Sequence, residues 1–328
     1  MRVFSGIRAS GEKTLGNYSG GFRQYAATQD QGDAFFCIVD LHTITTAYDA
    51  DELREATLSL AAMLFATGLD AERSTVFAQS HVTAHAEAAW LLSSVTSFGE
   101  LRRMTQFKEK SAAQEFVSAG LFNYPVLMSG DILLYQADIV PVGDDQRQHI
   151  ELARNIAERF NQRYGETFVV PKGVFPEEGA RIKNLQEPER LMSTSAGAPQ
   201  GVVRMIDDPD MIRKKFKTAI TDSGRDVVHD PATKPGISNL IEIMAVATGA
   251  AIPEIEARYD GQGYGRFKEE VAEAVVALLA PIQERYRDLR SDDEELRRLL
   301  AFGAEKASSA SAPTLRGMYE AMGFVRLQ

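Results

Sequence analysis

The sequence predicts an α/β fold: a doubly wound parallel sheet carrying a helical insertion, followed by a mainly α-helical C-terminal part. Three observations predict it. Short, continuously apolar runs near the start of the chain alternate with amphipathic segments, the pattern of strands buried on both faces between crossover helices. The alternation is broken once, over about residues 81–122, where two helical segments follow each other with no strand between them. Beyond residue 202 the pattern is helical throughout. With 328 residues the chain has room for one large domain and one smaller one, at ~100–200 residues per domain.

Residues 1–20 read as a short buried strand, a turn spaced by Gly6, Gly11 and Gly16, and the start of a helix. Such a turn lets backbone approach a ligand closely and aims free N–H groups at an anion. Neither common phosphate fingerprint is present. There is no G-x-G-x-x-G, and Gly6, Gly11 and Lys13 are out of register for a P-loop. Glu12 would also put a carboxylate among the anion-binding amides. The next elements are a helix over Tyr18–Gln29 and a strand over Ala34-Phe-Phe-Cys-Ile-Val39. That strand ends at Asp40-Leu-His42, where open sheets bind ligands but where an aspartate can equally cap the following turn. A helix over Asp51–Thr67 stops at Gly68, and Ser74-Thr-Val-Phe-Ala-Gln79 is the third strand.

The insertion is expected as two helices, Ala84–Ser97 and Gly99–Lys110. His81 and His85 share helical spacing, as in a zinc pair, but the segment offers no third ligand beyond Glu87, so capping or interface roles are the simpler reading. Trp90, the only tryptophan, reads most simply as core, with a dimer surface as the alternative. Arg102, Arg103, Lys108 and Lys110 form a basic cluster, either a solvated face or a phosphate contact. The pattern resumes with a helix over Tyr124–Tyr135, a strand over Asp138–Val142, and Gly143-Asp-Asp-Gln146 opening a long helix to Tyr164. Asp131 stands out in its apolar helix. A buried carboxylate is costly without a partner, which is either another protein group or a ligand's donor. Past Pro171 the chain reads as irregular, and residues 189–201 as a polar, mobile loop. Helices are then expected over Asp208–Thr221, Ile237–Thr248, Tyr264–Leu289 and Asp292–Ser308, with a short last helix over Thr314–Met322.

Composition narrows the class. Apolar content of 44% and charged content of 25% are those of a globular protein, and a net charge of −10 argues against nonspecific nucleic-acid or membrane binding. The single cysteine, Cys37, lies in an apolar run and reads as a core thiol. No signal-peptide pattern or membrane-length apolar run appears, so a cytoplasmic address is expected, with no membrane partner.

Several stretches together resemble the bacterial tryptophanyl-tRNA synthetases, class I aminoacyl-tRNA synthetases. They are Phe4-Ser-Gly-Ile7 with Thr14-Leu-Gly-Asn17, Met104-Thr-Gln-Phe-Lys-Glu-Lys-Ser111, Asp131-Ile-Leu-Leu-Tyr135, Asp138-Ile-Val-Pro-Val-Gly-Asp-Asp-Gln146 and Lys234-Pro-Gly-Ile-Ser-Asn-Leu240. The resemblance runs essentially end to end. It implies a Rossmann-like catalytic domain over 1–186 with its insertion at about 81–122, a mobile second-signature loop over 187–201, and a helical domain over 202–328 that contacts the anticodon, its last helix packing back toward the catalytic domain. Activation of tryptophan by ATP, with Mg²⁺ bound to the nucleotide and no side-chain metal site, would precede transfer to tRNA. The enzyme would be a homodimer through the inserted helices.

The resemblance places ATP against Arg8, Ala9, Ser10, Gly16 and Asn17 on one wall and Gly143, Asp144, Asp145 and Ile182 beside it, with Asp145 on the ribose. Leu191-Met-Ser-Thr-Ser195 corresponds to the second signature, so Leu191, Met192, Ser193, Thr194 and Ser195 form the opposite wall. Lys110, Arg8, Ser193 and Asn17 are the implied catalytic groups, with Lys110 on the phosphates. Tryptophan is assigned to Asp131 for the indole N–H, to Phe4, Met128, Val140 and Val142 around the ring, and to His42, Gln106, Tyr124 and Gln146 at its polar end. One departure stands out: Leu191 and Thr194 occupy the places of the signature's two lysines. Arg8, with Arg190, is expected to supply the missing charge. The alternatives are the tyrosyl-specific sister enzyme and a paralogue that binds tryptophan or RNA without efficient charging.

Overall fold

The computed structural model describes residues 1–112, 115–175, 182–193 and 198–325. Strand β1 (Arg2–Ile7) leads through a loop to α1 (Leu15–Asn17), a π-helical turn (Tyr18–Phe22) and α2 (Arg23–Thr28). The helical run therefore begins before Tyr18, because Thr14 and Asn17 form a reciprocal cap that starts it early. Then come β2 (Asp33–Ile38), α3 (Asp40–Thr43), α4 (Ala50–Ala66) and β3 (Thr75–Ala78). The inserted segment holds three helices where two were expected: α5 (Ala84–Ser93), α6 (Phe98–Arg103) and α7 (Thr105–Ala112). Met104, with ψ at 123°, leaves the helical region and separates the last two.

Helix α8 (Ala119–Leu134) starts five residues before Tyr124, capped by the Ser118 hydroxyl, and is followed by β4 (Ile139–Pro141) and α9 (Arg147–Tyr164). Strand β5 (Lys172–Val174) lies where the sequence read as irregular; at three residues on a sheet edge it is too short to show a period. The rest is helical: α10 (Pro209–Lys217), α11 (Pro235–Thr248), α12 (Ile252–Tyr259), α13 (Tyr264–Arg290) and α14 (Asp293–Ala321). Helix α12 was not anticipated, and the two last helices of the sequence reading are one, with Pro313 inside it.

The five strands pair in parallel in the order β3-β2-β1-β4-β5. The chain winds outward from β1 to β3, then returns to lay β4 on the other side of β1. That reversal opens a crevice beyond the carboxyl ends of β1 and β4. Two apolar clusters fill the molecule. One joins α4 and the inner face of β1 and β2 to α10, α11 and α13. The other joins the insertion, α8 and α9 to Ala304, Ala307 and Met318 of α14, so the last long helix packs back onto the sheet. The approach is close: a Cβ on Gly303 would lie 1.8 Å from the Val76 carbonyl oxygen of β3. No single helix among the described residues is long and apolar enough to cross a membrane.

Candidate active site

The crevice at the sheet reversal contains two adjoining cavities. The larger, about 880 Å³, is lined by Arg8, Ser10, Lys13, Gly16 and Asn17 after β1, by Gly143, Asp144 and Asp145 after β4, and by Ile182, Leu191, Met192 and Ser193 opposite. The smaller, about 340 Å³, is floored by Asp131 and walled by Phe4, His42, Gln106, Tyr124, Met128, Val140, Val142 and Gln146. Arg8 and Asp145 line both, so the two cavities communicate. Arg8 and Lys110 together line a third hollow of about 230 Å³ beside His42. Of the residues singled out by sequence, Ala9 is buried outside both main cavities, and Thr194 and Ser195 lie outside the described residues. Arg190 is paired with Glu187 at 3.7 Å and lines neither.

The two signature segments touch. Asn17 Oδ1 accepts from the Thr14 amide at 2.9 Å and from its hydroxyl, closing the cap, and that hydroxyl also lies 3.3 Å from the Met192 carbonyl oxygen. Gly16 is required here, because a Cβ would lie 2.2 Å from the same oxygen. Residues 13–15 are held from the far side as well: Met205 N–H donates to Lys13 O and Leu15 N–H to Val203 O, both at 2.8 Å. Glu12 pairs with Arg204 at 2.7 Å and does not line the cavity, so its carboxylate stays out of the glycine-spaced turn.

Asp131 is 1% exposed, and the sequence left open whether its partner is protein or ligand. Three protein donors reach it: His42 Nε2–H to Oδ2 at 2.9 Å, and Gln79 Nε2–H and His85 Nδ1–H to Oδ1, each at 2.6 Å. Burial alone would raise its pKa, but the bonds from His42 and His85 hold it down at about 2, so the group is a carboxylate. Oδ2 keeps one acceptor site without a described partner. His85, read from sequence as a cap or interface residue, is fully buried and continues the network, its Nε2 2.8 Å from the Tyr135 hydroxyl. Asp40 is structural: it accepts from the Leu41 and Ser80 amides and from the Ser80 hydroxyl.

The polar end of the smaller cavity is organised around Tyr124. His149, which the sequence reading passed over, contacts the Tyr124 hydroxyl through Nε2 at 2.9 Å, and that hydroxyl reaches Gln106 Oε1 at 3.2 Å. Burial, then the charge of Lys110, lowers the His149 pKa to about 4, so the ring is neutral. Burial raises the Tyr124 phenol to about 12. Lys110 stands 5.0 Å over the Tyr124 ring, its pKa lowered by burial and by Arg8. Gln106 and Gln146 both donate to Asp145 Oδ2, at 3.2 and 2.5 Å, tying the smaller cavity's amides to the acid that borders the larger one. The only signal for His149 was its place two residues into a helix opened by an assigned motif.

A parallel sheet whose reversal carries a glycine turn and two communicating cavities has the form of the doubly wound proteins that bind ligands beyond the carboxyl ends of their strands. Residues 1–280 match the family of class I tRNA synthetases (W and Y), and the chain belongs to that family. A tryptophan–tRNA ligase from Leifsonia xyli subsp. xyli is 52% identical over 328 residues, covering 99% of this chain and 97% of that protein. Among solved structures, the tryptophanyl-tRNA synthetase of Mycoplasma pneumoniae superposes with a TM-score of 0.90 at 33% identity, covering 99% of this chain and 98% of that one. That of Campylobacter jejuni, complexed with ADP and tryptophan, gives 0.86 at 33% identity, covering 99% and 100%.

Proposed function

We propose that this chain is a tryptophan–tRNA ligase. The larger cavity takes ATP and the smaller one takes L-tryptophan; the observation that carries this reading is a buried, ionised Asp131 flooring a pocket that opens onto the nucleotide cavity at Arg8. The indole N–H fits the remaining acceptor site of Asp131 Oδ2, with Phe4, Met128, Val140 and Val142 around the ring. The tryptophan carboxylate is then directed to the side of Arg8 and Gln146. One of its oxygens attacks the α-phosphorus of ATP, the bond to the bridging oxygen breaks, and pyrophosphate leaves with the electron pair. A hydroxyl of the terminal tRNA ribose next attacks the acyl carbon and AMP departs. The protein's share is alignment and charge.

Mg²⁺ arrives with the nucleotide and neutralises phosphate charge; phosphate oxygens and water would hold it. Among the described residues no group of three His, Cys, Asp or Glu offers a separate cage. tRNA is read as reaching the helical part, where Lys214 and Lys217 of α10 are exposed, whereas Arg213 is bound by Glu273 and Lys215 is buried on Asp207. The self-partner is read as a second copy against the insertion, whose side chains Trp90 (79% exposed), Phe98 (68%) and Phe116 (80%) are exposed. Trp90 is thus not a core residue, and the surface alternative stands.

Pyrophosphate exchange into ATP, assayed with each amino acid in turn, tests the function. Tryptophan alone should support exchange. Exchange with tyrosine alone would assign the sister specificity, and none with either would leave a binding paralogue.

A further inference from the structure

We infer that Lys13 is the cation that binds the ATP phosphates from the first-signature wall, in a cavity whose opposite wall offers Leu191. The inference rests on the nucleotide reading above. Only Arg8 and Lys13 carry positive charge among the described residues lining the larger cavity; the facing residues Ile182, Leu191, Met192 and Ser193 carry none. A triphosphate needs more than a neutral wall, since charge builds on the β- and γ-phosphates as pyrophosphate leaves. Arg8 stands at the junction and borders the amino-acid pocket too, whereas Lys13 lines the nucleotide cavity without lining the other.

Three features of Lys13 suit it to the task. Its backbone is fixed, through the Met205 amide on its own carbonyl and the Val203 carbonyl two residues on. Its ammonium donates to Arg8 O at 2.7 Å and Ser10 O at 3.1 Å, which aims the group and leaves a third N–H for a ligand. Its sequence neighbour Glu12 is neutralised by Arg204, so the adjacent carboxylate does not compete for it. Burial, and after it the nearby Arg8, lower its pKa to about 8, and its two hydrogen-bond partners are neutral carbonyls that leave its charge without balance. A polyanion supplies that balance.

The same two carbonyl bonds would serve a loop clamp, and the experiment separates the roles. Lys13→Gln keeps a donor for the carbonyls and removes the charge; Lys13→Arg keeps the charge. Dissociation constants for ATP and for adenosine are measured by calorimetry on the full chain without tryptophan, so that ATP is bound and not consumed, alongside thermal melting. The expected result for Lys13→Gln is ATP binding weaker by about 10- to 100-fold with adenosine binding unchanged, and recovery of most of the ATP affinity in Lys13→Arg. Equal weakening of ATP and adenosine, or of neither, overturns the inference. The wild-type arm reports on the reading beneath it: wild-type protein that binds neither ATP nor adenosine removes the nucleotide site itself. Should Lys13→Gln fail to fold, Lys13→Arg decides, because a clamp tolerates the bulkier group no better for ATP than for adenosine.

Discussion

His149 and Asp131 both have lowered pKa values and both lose their contribution to stability as pH falls, but in separate pH windows. His149 is buried and neutral with a folded pKa of about 4, below the ordinary ~6.5, so the unfolded chain binds its proton first. Its contribution to stability is present above pH ~6.5 and is lost as pH falls toward 4, on the order of 3 kcal/mol in all. Asp131 has a folded pKa of about 2 against ~3.9 unfolded, so its contribution is lost lower, between about pH 4 and 2. Urea unfolding at a series of pH values should show the upper step in wild-type protein and its absence in His149→Gln; an unchanged upper step would assign it elsewhere. Asp131 was legible in the sequence because a carboxylate in an apolar helix demands an explanation. Its donors were not, since they stand 89, 52 and 46 residues away and only the fold brings them in. His149 carried no such contradiction, being an ordinary residue near the start of an amphipathic helix.

Helix α14 shows where sequence signals at the level of one element mislead. Proline inside a helix loses a hydrogen bond and costs about 3 kcal/mol, which is why a break before Thr314 was the natural expectation. The helix continues because Ala307, Ser311, Thr314 and Met318 form a buried stripe on both sides of Pro313, and that packing outweighs the local penalty. Periodicity in contrast placed the bodies of α4, α9 and α13 well, since each has a long amphipathic pattern. Two glycines of α14 make a paired test. Gly303→Ala drives a Cβ into the Val76 carbonyl and should destabilise by about 1–3 kcal/mol or more, whereas Gly317, with open space at its Cβ, should tolerate Ala or gain up to ~1 kcal/mol. Midpoints of guanidinium unfolding read the difference, and equal effects at the two sites would refute the role given to the β3 contact.

At the scale of the molecule, the order of motifs along the chain made the doubly wound sheet readable, and the segments after β1 and β4 that it singled out do line one crevice. What covers the insertion was not readable: Trp90 follows a run of small residues that packs inward, and nothing in its neighbours distinguishes a core from a contact face. If that face meets a second copy, Trp90→Glu and Phe98→Glu should convert a dimer of about 72 kDa, twice 36.1 kDa, to a monomer by light scattering. A wild-type monomer at micromolar concentration would remove the self-partner. The return of α14 to the sheet also sets a schedule for synthesis. Strand β3 is complete at residue 78, yet Gly303, which seals its backbone, is added 225 residues later. At ~5–20 residues per second that leaves the β3 backbone at Val76 without its α14 contact for roughly 10–45 s in every round of translation, an interval in which chaperones and proteases meet the nascent chain before its own last helix does.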